Sequence, residues 1–181
     1  MLISIGLFLL QAISDFFVFV FLLRAYSFFI KLNIGSYSFE IARFLYAITD
    51  RIVLPLRRIL PQTGQLDISS ILPAFFIQLP YVLMKSWLWA GQIQILNVVL
   101  ESLVNLSGSL IRGLIGILFL SVILSWIQPN STAHKLSKEL SEPILSPLRR
   151  LVPQIGGVDI SPLLALLLLQ IAQKLLSSIV V

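Results

Sequence analysis

Two short segments of this sequence combine paired arginines with a later aspartate, and these residue types are suited to binding anions. The first segment is PLRRILPQTGQLDIS, residues 55–69, and the second is PLRRLVPQIGGVDIS, residues 147–161; they agree at 10 of 15 positions without a gap. Guanidinium groups form paired hydrogen bonds to phosphate and carboxylate groups. The sequence therefore predicts a contact with anionic lipid or with a partner protein at Arg57, Arg58, Arg149 and Arg150.

The other residues of each segment predict a bend at the membrane surface. One proline suits the first turn of a short helix, a second proline ends that helix, a glycine permits a tight turn, and a serine caps the next helix. The aspartate lies ten residues after the first arginine, so the two could close the turn. A hinge without any binding role fits the same pattern. The motif consists of Pro55, Leu56, Pro61, Gly64, Asp67 and Ser69, and of Pro147, Leu148, Pro153, Gly156, Asp159 and Ser161.

Polar residues also occur within the apolar segments. A carboxylate at the centre of a membrane span costs about 2.5–3.5 kcal/mol, so Asp15 must face protein or water, or be protonated. Two glutamines lie at positions related by the repeat, and they could join Asp15 in one polar layer near the middle of the bilayer. A structural hydrogen-bonded layer and a transport-related site both fit this pattern. The predicted layer comprises Asp15, Gln78, Ser121 and Gln170.

The sequence offers no grouping of residues for catalysis or for a resident metal ion or cofactor. It contains no cysteine and a single histidine, His134, in a polar segment that we expect to be a solvated loop. It lacks a phosphate-binding glycine loop and a G-x-S-x-G motif. We therefore expect a non-enzymatic protein with no cofactor and no metal site.

Composition places the chain in a membrane. Of its 181 residues, 57% are hydrophobic and only 12% are charged. A transmembrane helix needs about 20 mainly apolar residues. The predicted fold is an all-α membrane protein with four transmembrane helices, near residues 2–23, 68–84, 110–127 and 160–181.

The distribution of lysine and arginine predicts the orientation. Loops rich in these residues remain cytoplasmic, and they are concentrated between the first two spans and between the last two. We therefore expect both PLRR loops in the cytoplasm, both termini outside, and the protein in the bacterial inner membrane. The chain then consists of two parallel span-loop-span repeats, residues 1–90 and 91–181.

Amphipathic segments are expected to lie along the membrane between the spans. Ahead of the first PLRR, one stripe of a predicted cytoplasmic interfacial helix carries Ile41, Phe44, Leu45, Ile48 and Ile52; a shorter version precedes the second PLRR. Residues 93–106 form a further amphipathic segment on the outer face. We expect a break near residues 107–109 to separate it from the third span.

The sequence resembles the YggT family of bacterial inner-membrane proteins, also called the YlmG family in other bacteria and in plastids. The resemblance covers nearly the whole chain and is clearest in EPILSPLRRLVPQIGGVDISP, residues 142–162, whereas RIVL precedes PLRR in the first copy. An acidic residue nine positions before the arginine that ends the first span, here Asp15 and Arg24, is also found in such proteins. The resemblance implies small non-enzymatic multi-pass proteins linked to osmotic tolerance, division or membrane organisation, without a settled substrate.

Two functions follow from these expectations. The first is an organising or assembly protein that docks on anionic lipid headgroups, or on envelope or division proteins, and supports growth under osmotic or envelope stress. The second is a small ion or solute pathway through the polar layer around Asp15. Nucleic acid is not an expected partner, because the basic residues flank membrane spans; a homo-oligomer is compatible with the sequence.

Overall fold

The computed structural model describes residues 2–60, 66–90, 93–152 and 159–178, and all regular structure within these ranges is helical. Six α-helices follow one another, with a short 3-10 helix at Ile34–Ser36 between the first two. The helices are α1 (Leu2–Phe29), α2 (Phe39–Ile59), α3 (Ile68–Ala90), α4 (Ile95–Ile127), α5 (Thr132–Leu151) and α6 (Ser161–Ser177).

Three of these helices, α1, α3 and α4, are long and apolar enough to cross a membrane. The fourth predicted span corresponds to α6, which is apolar but has only 17 residues in the described range. Helices α1 and α3 continue past the predicted ends of their spans, to Phe29 and to Ala90.

Helix α4 contradicts the expected break near residues 107–109. It runs without interruption for 33 residues, so the predicted outer segment and the third span are one helix. Ser107 Oγ donates a hydrogen bond of 2.9 Å to the carbonyl of Leu103 within the same helix. In a helix that crosses a membrane, a break would leave backbone groups without partners, whereas a continuous helix satisfies them internally.

The predicted short helix that begins at the PLRR proline is also wrong as a separate element. Pro55 lies inside α2, and Pro147 lies inside α5 together with Pro143. Each predicted amphipathic segment and the PLRR sequence that follows it therefore form one helix. Val53 and Leu145 are buried two residues before Pro55 and Pro147. This packing stabilises each helix where the proline, which has no N–H, leaves out a backbone hydrogen bond.

The predicted ends of these helices are correct. Leu60 and Val152 have extended backbone angles, and each stands directly before a proline. A residue before proline is disfavoured in the helical conformation, because the proline ring clashes with its backbone and Cβ. The sequence pattern thus determines where α2 and α5 stop.

The core lies between α1 and the helices packed around it. One cluster centres on Phe21, with buried residues from α1, α2, α3 and α4, and a second joins α1 and α2 to Leu136 and Leu140 of α5. The Tyr26 hydroxyl donates a 2.9 Å hydrogen bond to the Leu140 carbonyl. Helices α1 and α4 approach closely at Gly113, where an added Cβ would come within 2.9 Å of the Phe19 ring. Side chains from both predicted repeats therefore share one core.

Candidate functional site

The candidate site consists of two segments: one joins the end of α2 to the start of α3, and the other joins the end of α5 to the start of α6. We call residues 55–69 the first elbow and residues 147–161 the second elbow. Within the first, Arg57 Nη2 lies 2.7 Å from Asp67 Oδ2, and only 1% of the Asp67 side chain is exposed. The same carboxylate oxygen accepts a 2.7 Å hydrogen bond from Ser70 Oγ, and the Arg57 guanidinium lies over the Phe28 ring. The predicted contact between arginine and aspartate is therefore present in the first elbow, and its carboxylate is almost fully buried.

The second elbow contains the corresponding pair with an additional acid. Arg149 Nε donates to Asp159 Oδ2 at 2.8 Å, while Nη1 contacts both carboxylate oxygens of Glu142 at 2.8 and 2.9 Å. Burial disfavours the ionised form of Asp159, but the hydrogen bond from the Ser161 N–H together with the hydrogen bond and charge of Arg149 outweighs it and holds the pKa of Asp159 below its ordinary value. The first arginine of each pair is therefore engaged within the protein.

The second arginine of each pair is oriented differently. Arg58 and Arg150 are exposed and make no ion pair with any residue in the described ranges. The next residue in each copy is also exposed, Ile59 by 79% and Leu151 by 77%. Helices α2 and α5 thus each end in an exposed guanidinium beside an exposed aliphatic side chain.

The predicted serine caps are wrong, and in the second elbow the aspartate accepts the hydrogen bond at the start of the helix instead. Ser69 and Ser161 both lie within their helices, which begin at residues 68 and 161. In the second elbow the Ser161 N–H donates to Asp159 Oδ1 at 2.9 Å. A carboxylate is the stronger acceptor at a helix N-terminus, since its charge also interacts with the helix dipole.

Some of the remaining motif residues pack against other helices, and the others lie outside the described residues. Leu56 and Leu148 are half-buried, and the latter packs against the cluster around Leu118. The helix-ending prolines and turn glycines lie outside the described residues: Pro61, Gly64, Pro153 and Gly156.

An ion pair between a buried arginine near the C-terminal end of α1 and an acid of α2 was not predicted from the sequence. Arg24 Nη1 lies 2.6 Å from Asp50 Oδ1, and it also donates to Thr49 Oγ1. Only 6% of the Arg24 side chain is exposed, and its guanidinium lies 5.1 Å from the centre of the Tyr46 ring. The sequence feature that could have indicated this pair is an arginine directly after an apolar span, because such a residue needs a partner or water.

The four residues of the predicted polar layer occupy different environments. Asp15 is exposed on α1 and lies 3.6 Å from Arg112 Nη2. Gln78 is buried and donates to the Ser102 carbonyl, which joins α3 to α4. Ser121 is buried within α4, whereas Gln170 is exposed on α6. Their side chains thus face separate surroundings.

Other polar groups neither extend the site nor form a metal centre. Within the described ranges, no group of three or more histidine, cysteine, aspartate or glutamate residues is placed to hold a metal ion. His134 lies in the first turn of α5 and not in the expected loop, because Ser131 caps that helix by accepting a hydrogen bond from the His134 N–H.

Comparison with known proteins gives a consistent family assignment. The CCB3/YggT family profile matches residues 3–88 and 100–180, which together make up most of the chain. YggT of Escherichia coli K12 is 30% identical over 167 residues, which cover 91% of this chain and 85% of that protein. An uncharacterised protein of Vibrio alginolyticus is 30% identical over 179 residues, covering 96% and 94%. An uncharacterised protein of Pseudomonas aeruginosa is 29% identical over 174 residues, covering 94% and 87%.

The comparison with solved structures finds no significant match. The geometry of the elbows therefore rests on the contacts of this chain.

Proposed function

The chain belongs to the CCB3/YggT family, and from that premise we propose that it is a non-enzymatic membrane protein that organises its surroundings by docking both elbows on anionic lipid headgroups. The proposal gives the two elbows one role, because the same residue types are exposed at the same position of each. It is an interaction function, and it requires no cofactor and no metal ion.

The observation that supports this proposal best is the exposed arginine–aliphatic pair at the end of each surface helix. Arg58 with Ile59, and Arg150 with Leu151, present a cation beside an apolar side chain. That combination matches the headgroup boundary of a bilayer, where the cation meets phosphate and the aliphatic group enters the acyl region. Each arginine near an anionic leaflet contributes about 1 kcal/mol.

The intramolecular pairs narrow the docking surface to two of the four arginines. Arg57 and Arg149 each hold an aspartate of their own elbow, and such charge-assisted bonds compete with a lipid phosphate. We assign them the task of shaping the elbow. Arg58 and Arg150 remain for the headgroup contact.

The proposed topology has four membrane crossings, with α2 and α5 along the cytoplasmic surface of the inner membrane. Exposed apolar side chains on α2, including Ile41, Phe44 and Ile52, would then contact the acyl chains. The two parallel repeats, residues 1–90 and 91–181, would each place one elbow at that surface. Single-cysteine accessibility scanning would test this topology, and labelling beside Arg58 or Arg150 from the outer side would contradict it.

The lipid contact can be tested with the purified full chain in nanodiscs that contain phosphatidylcholine and phosphatidylglycerol. We expect the double variant Arg58→Gln/Arg150→Gln to lose most of the enrichment of phosphatidylglycerol around the protein, measured by mass spectrometry of co-purified lipid. The control Lys135→Gln/Lys138→Gln removes the same charge from exposed positions of α5. Equal enrichment in the two double variants would contradict the proposal.

A cellular test would address the proposed support of growth under osmotic or envelope stress. In a deletion strain, the Arg58→Gln/Arg150→Gln variant should insert normally but fail to restore growth after osmotic shock. Full complementation would remove the elbows from this role. Loss of complementation with unchanged lipid enrichment would instead indicate an envelope or division protein as the docking partner.

A small ion or solute pathway is the second candidate, and one observation favours it. Asp15 and Arg112 line a groove of about 540 Å³ between α1 and α4. Gln78, however, bonds to the Ser102 carbonyl, and Gln170 is exposed on α6, so the structure offers less support for a shared path than for the elbows. A flux in liposomes that Asp15→Asn abolishes would support transport.

A further inference from the structure

We propose that the groove of Asp15 and Arg112 is a dimer interface, in which each copy of the chain covers the groove of the other. This inference goes beyond the proposed function, since it concerns the apolar helices and leaves the elbows free to bind lipid. It rests on the depth of the charged pair, its incomplete contacts and the shape of the surface around it.

The charged pair lies at the middle of two apolar helices. Asp15 is central in α1, Leu2–Phe29, and Arg112 is central in α4, Ile95–Ile127. Both helices are long and apolar enough to cross a membrane. At that depth, each charged group costs about 2.5–3.5 kcal/mol unless it meets protein, water or a counter-charge.

The contacts within one chain leave this cost only partly offset. Arg112 Nη2 lies 3.6 Å from Asp15 Oδ1, which is too long for a hydrogen bond, and it donates instead to Ser109 Oγ at 2.7 Å. Roughly half of each charged side chain is exposed, 48% for Asp15 and 46% for Arg112. No donor in the described ranges reaches the Asp15 carboxylate within hydrogen-bond distance. The carboxylate thus has unused acceptor capacity within the described residues, and a donor from a second chain can fill it.

The surface around the pair has the form of a helix-packing interface. Gly116 lies one turn beyond Arg112, and a Cβ added there would meet nothing within 4 Å. Apart from the charged pair and Ser109, the side chains that line the groove are apolar, and Phe119 and Leu120 among them are exposed by 58% and 48%. Close packing at small residues is the main source of helix association in lipid.

Charge complementarity identifies the partner as a second copy. Two chains inserted in the same direction are related by a two-fold axis along the membrane normal, and this axis keeps every residue at its own depth. Asp15 then meets Arg112 of the partner subunit at the same level, and the four charges alternate in sign. Both carboxylates gain a donor, and both charged pairs leave the lipid.

Disulfide crosslinking tests this arrangement directly, because the wild-type chain contains no cysteine. We expect Gly116→Cys to give a disulfide-linked dimer on oxidation in native membranes. The control Phe76→Cys places a thiol on α3 at a position that is 56% exposed, and it should remain monomeric. Equal yields from the two variants would overturn the proposal.

A second measurement separates the charged pair from the small residue. The neutral double variant Asp15→Asn/Arg112→Gln should dimerise about five- to thirtyfold more weakly, which corresponds to about 1–2 kcal/mol for polar contacts between membrane helices. Energy transfer between labelled copies in phosphatidylcholine liposomes at varied dilution would measure it. Unchanged dimerisation of this variant would overturn the role of the charges.

Other occupants of the groove give different outcomes. A Gly116→Leu variant that still dimerises would show that the groove is not the interface, because leucine fills the space left by the glycine. Crosslinking of Gly116→Cys to a different protein in place of the dimer would also overturn the proposal. Lipid enrichment at the elbows is measured separately, so failure of the dimer and failure of the docking function are distinguishable.

Discussion

The acid that precedes the first elbow pairs with another helix, whereas the corresponding acid before the second elbow pairs within its own helix. Asp50 and Glu142 are separated by 92 residues, the same spacing that separates the two elbows. Asp50 pairs with Arg24 of α1, but Glu142 pairs with Arg149 of its own α5. Acids at equivalent positions of the two copies thus have partners in different elements.

One difference between the copies accounts for this contrast, because α1 has an arginine near its C-terminal end where α4 has a leucine. An offset of 100 residues aligns LLRAY at the end of α1 with VILSW at the end of α4, and it places Leu124 opposite Arg24. Without an arginine there, Glu142 forms its salt bridge with the nearest guanidinium of α5. Both elbows contain the arginine–aspartate pair, which we call the inner pair: Arg57 with Asp67, and Arg149 with Asp159. The partner of the preceding acid depends on the surrounding helices.

The largest expected effect distinguishes these two acids. Asp50→Asn leaves the buried Arg24 without a counter-charge and should cost about 2 kcal/mol of unfolding free energy, less than in a fully buried pair because the Asp50 side chain is 39% exposed. Glu142→Gln should cost less than about 1 kcal/mol, because Arg149 is one-third exposed and keeps Asp159. Unfolding in detergent micelles with increasing dodecyl sulfate, followed by circular dichroism, would compare them. Equal losses would show that the two acids contribute alike.

A smaller difference is expected between the aspartates of the inner pairs. Asp67→Asn should cost about 2 kcal/mol, because the carboxylate is almost fully buried and accepts bonds from both Arg57 and Ser70. Asp159→Asn should cost about 1 kcal/mol, since Arg149 then retains Glu142. The same unfolding assay measures both variants, and a larger loss for Asp159→Asn would reverse our ranking of the two elbows.

The pH dependence of unfolding isolates the second elbow. The pKa of Asp159 is lowered from its ordinary value of 3.8, so the folded state holds this proton less tightly than the unfolded state does. Its contribution to stability is complete above that value and is lost as the pH falls below about 3.8 towards the folded pKa. Asp159→Asn should remove this loss, whereas Glu139→Gln, at an exposed position of α5, should retain it.

The smallest effect on stability is expected where the two elbows are alike. Arg58→Gln and Arg150→Gln should each change the unfolding free energy by less than about 0.5 kcal/mol, because neither arginine has an ion-pair partner in the described ranges. Each single variant should nevertheless reduce lipid enrichment by a similar amount. A strong loss of stability from only one of them would reveal a structural role for that arginine and end the equivalence.

Much of the helical organisation could be predicted from the sequence, because it depends on local rules. The apolar runs predicted four membrane spans, three of which correspond to helices long enough to cross a membrane, and the prolines at positions 61 and 153 predicted the ends of α2 and α5, which stop two residues before them. The ten-residue spacing predicts both inner pairs, Arg57 with Asp67 and Arg149 with Asp159. These contacts join residues close in sequence, so no long-range information is needed.

Other local rules failed where packing or burial outweighed them. Pro55 predicted a helix start, yet α2 continues through it, because Val53 is held in the core on the preceding turn. Serine and glycine near residue 108 predicted a break, yet α4 is continuous, as expected for a membrane-crossing helix, whose backbone has no alternative partner. Serine predicted the cap, but the aspartate, held by its arginine, takes that role in the second elbow.

The sequence by itself determined that the chain is apolar and helical, that it carries two copies of an arginine elbow, and that each elbow can close through its own aspartate. Only the tertiary structure decided which acid Arg24 meets, which arginines remain exposed, and that Asp15 faces Arg112 across a groove. The reason is distance along the chain: Arg24 and Asp50 are 26 residues apart, and Asp15 and Arg112 are on helices from different repeats. Periodicity assigns a side chain to one face of its helix, but the packing of helices determines what that face contacts.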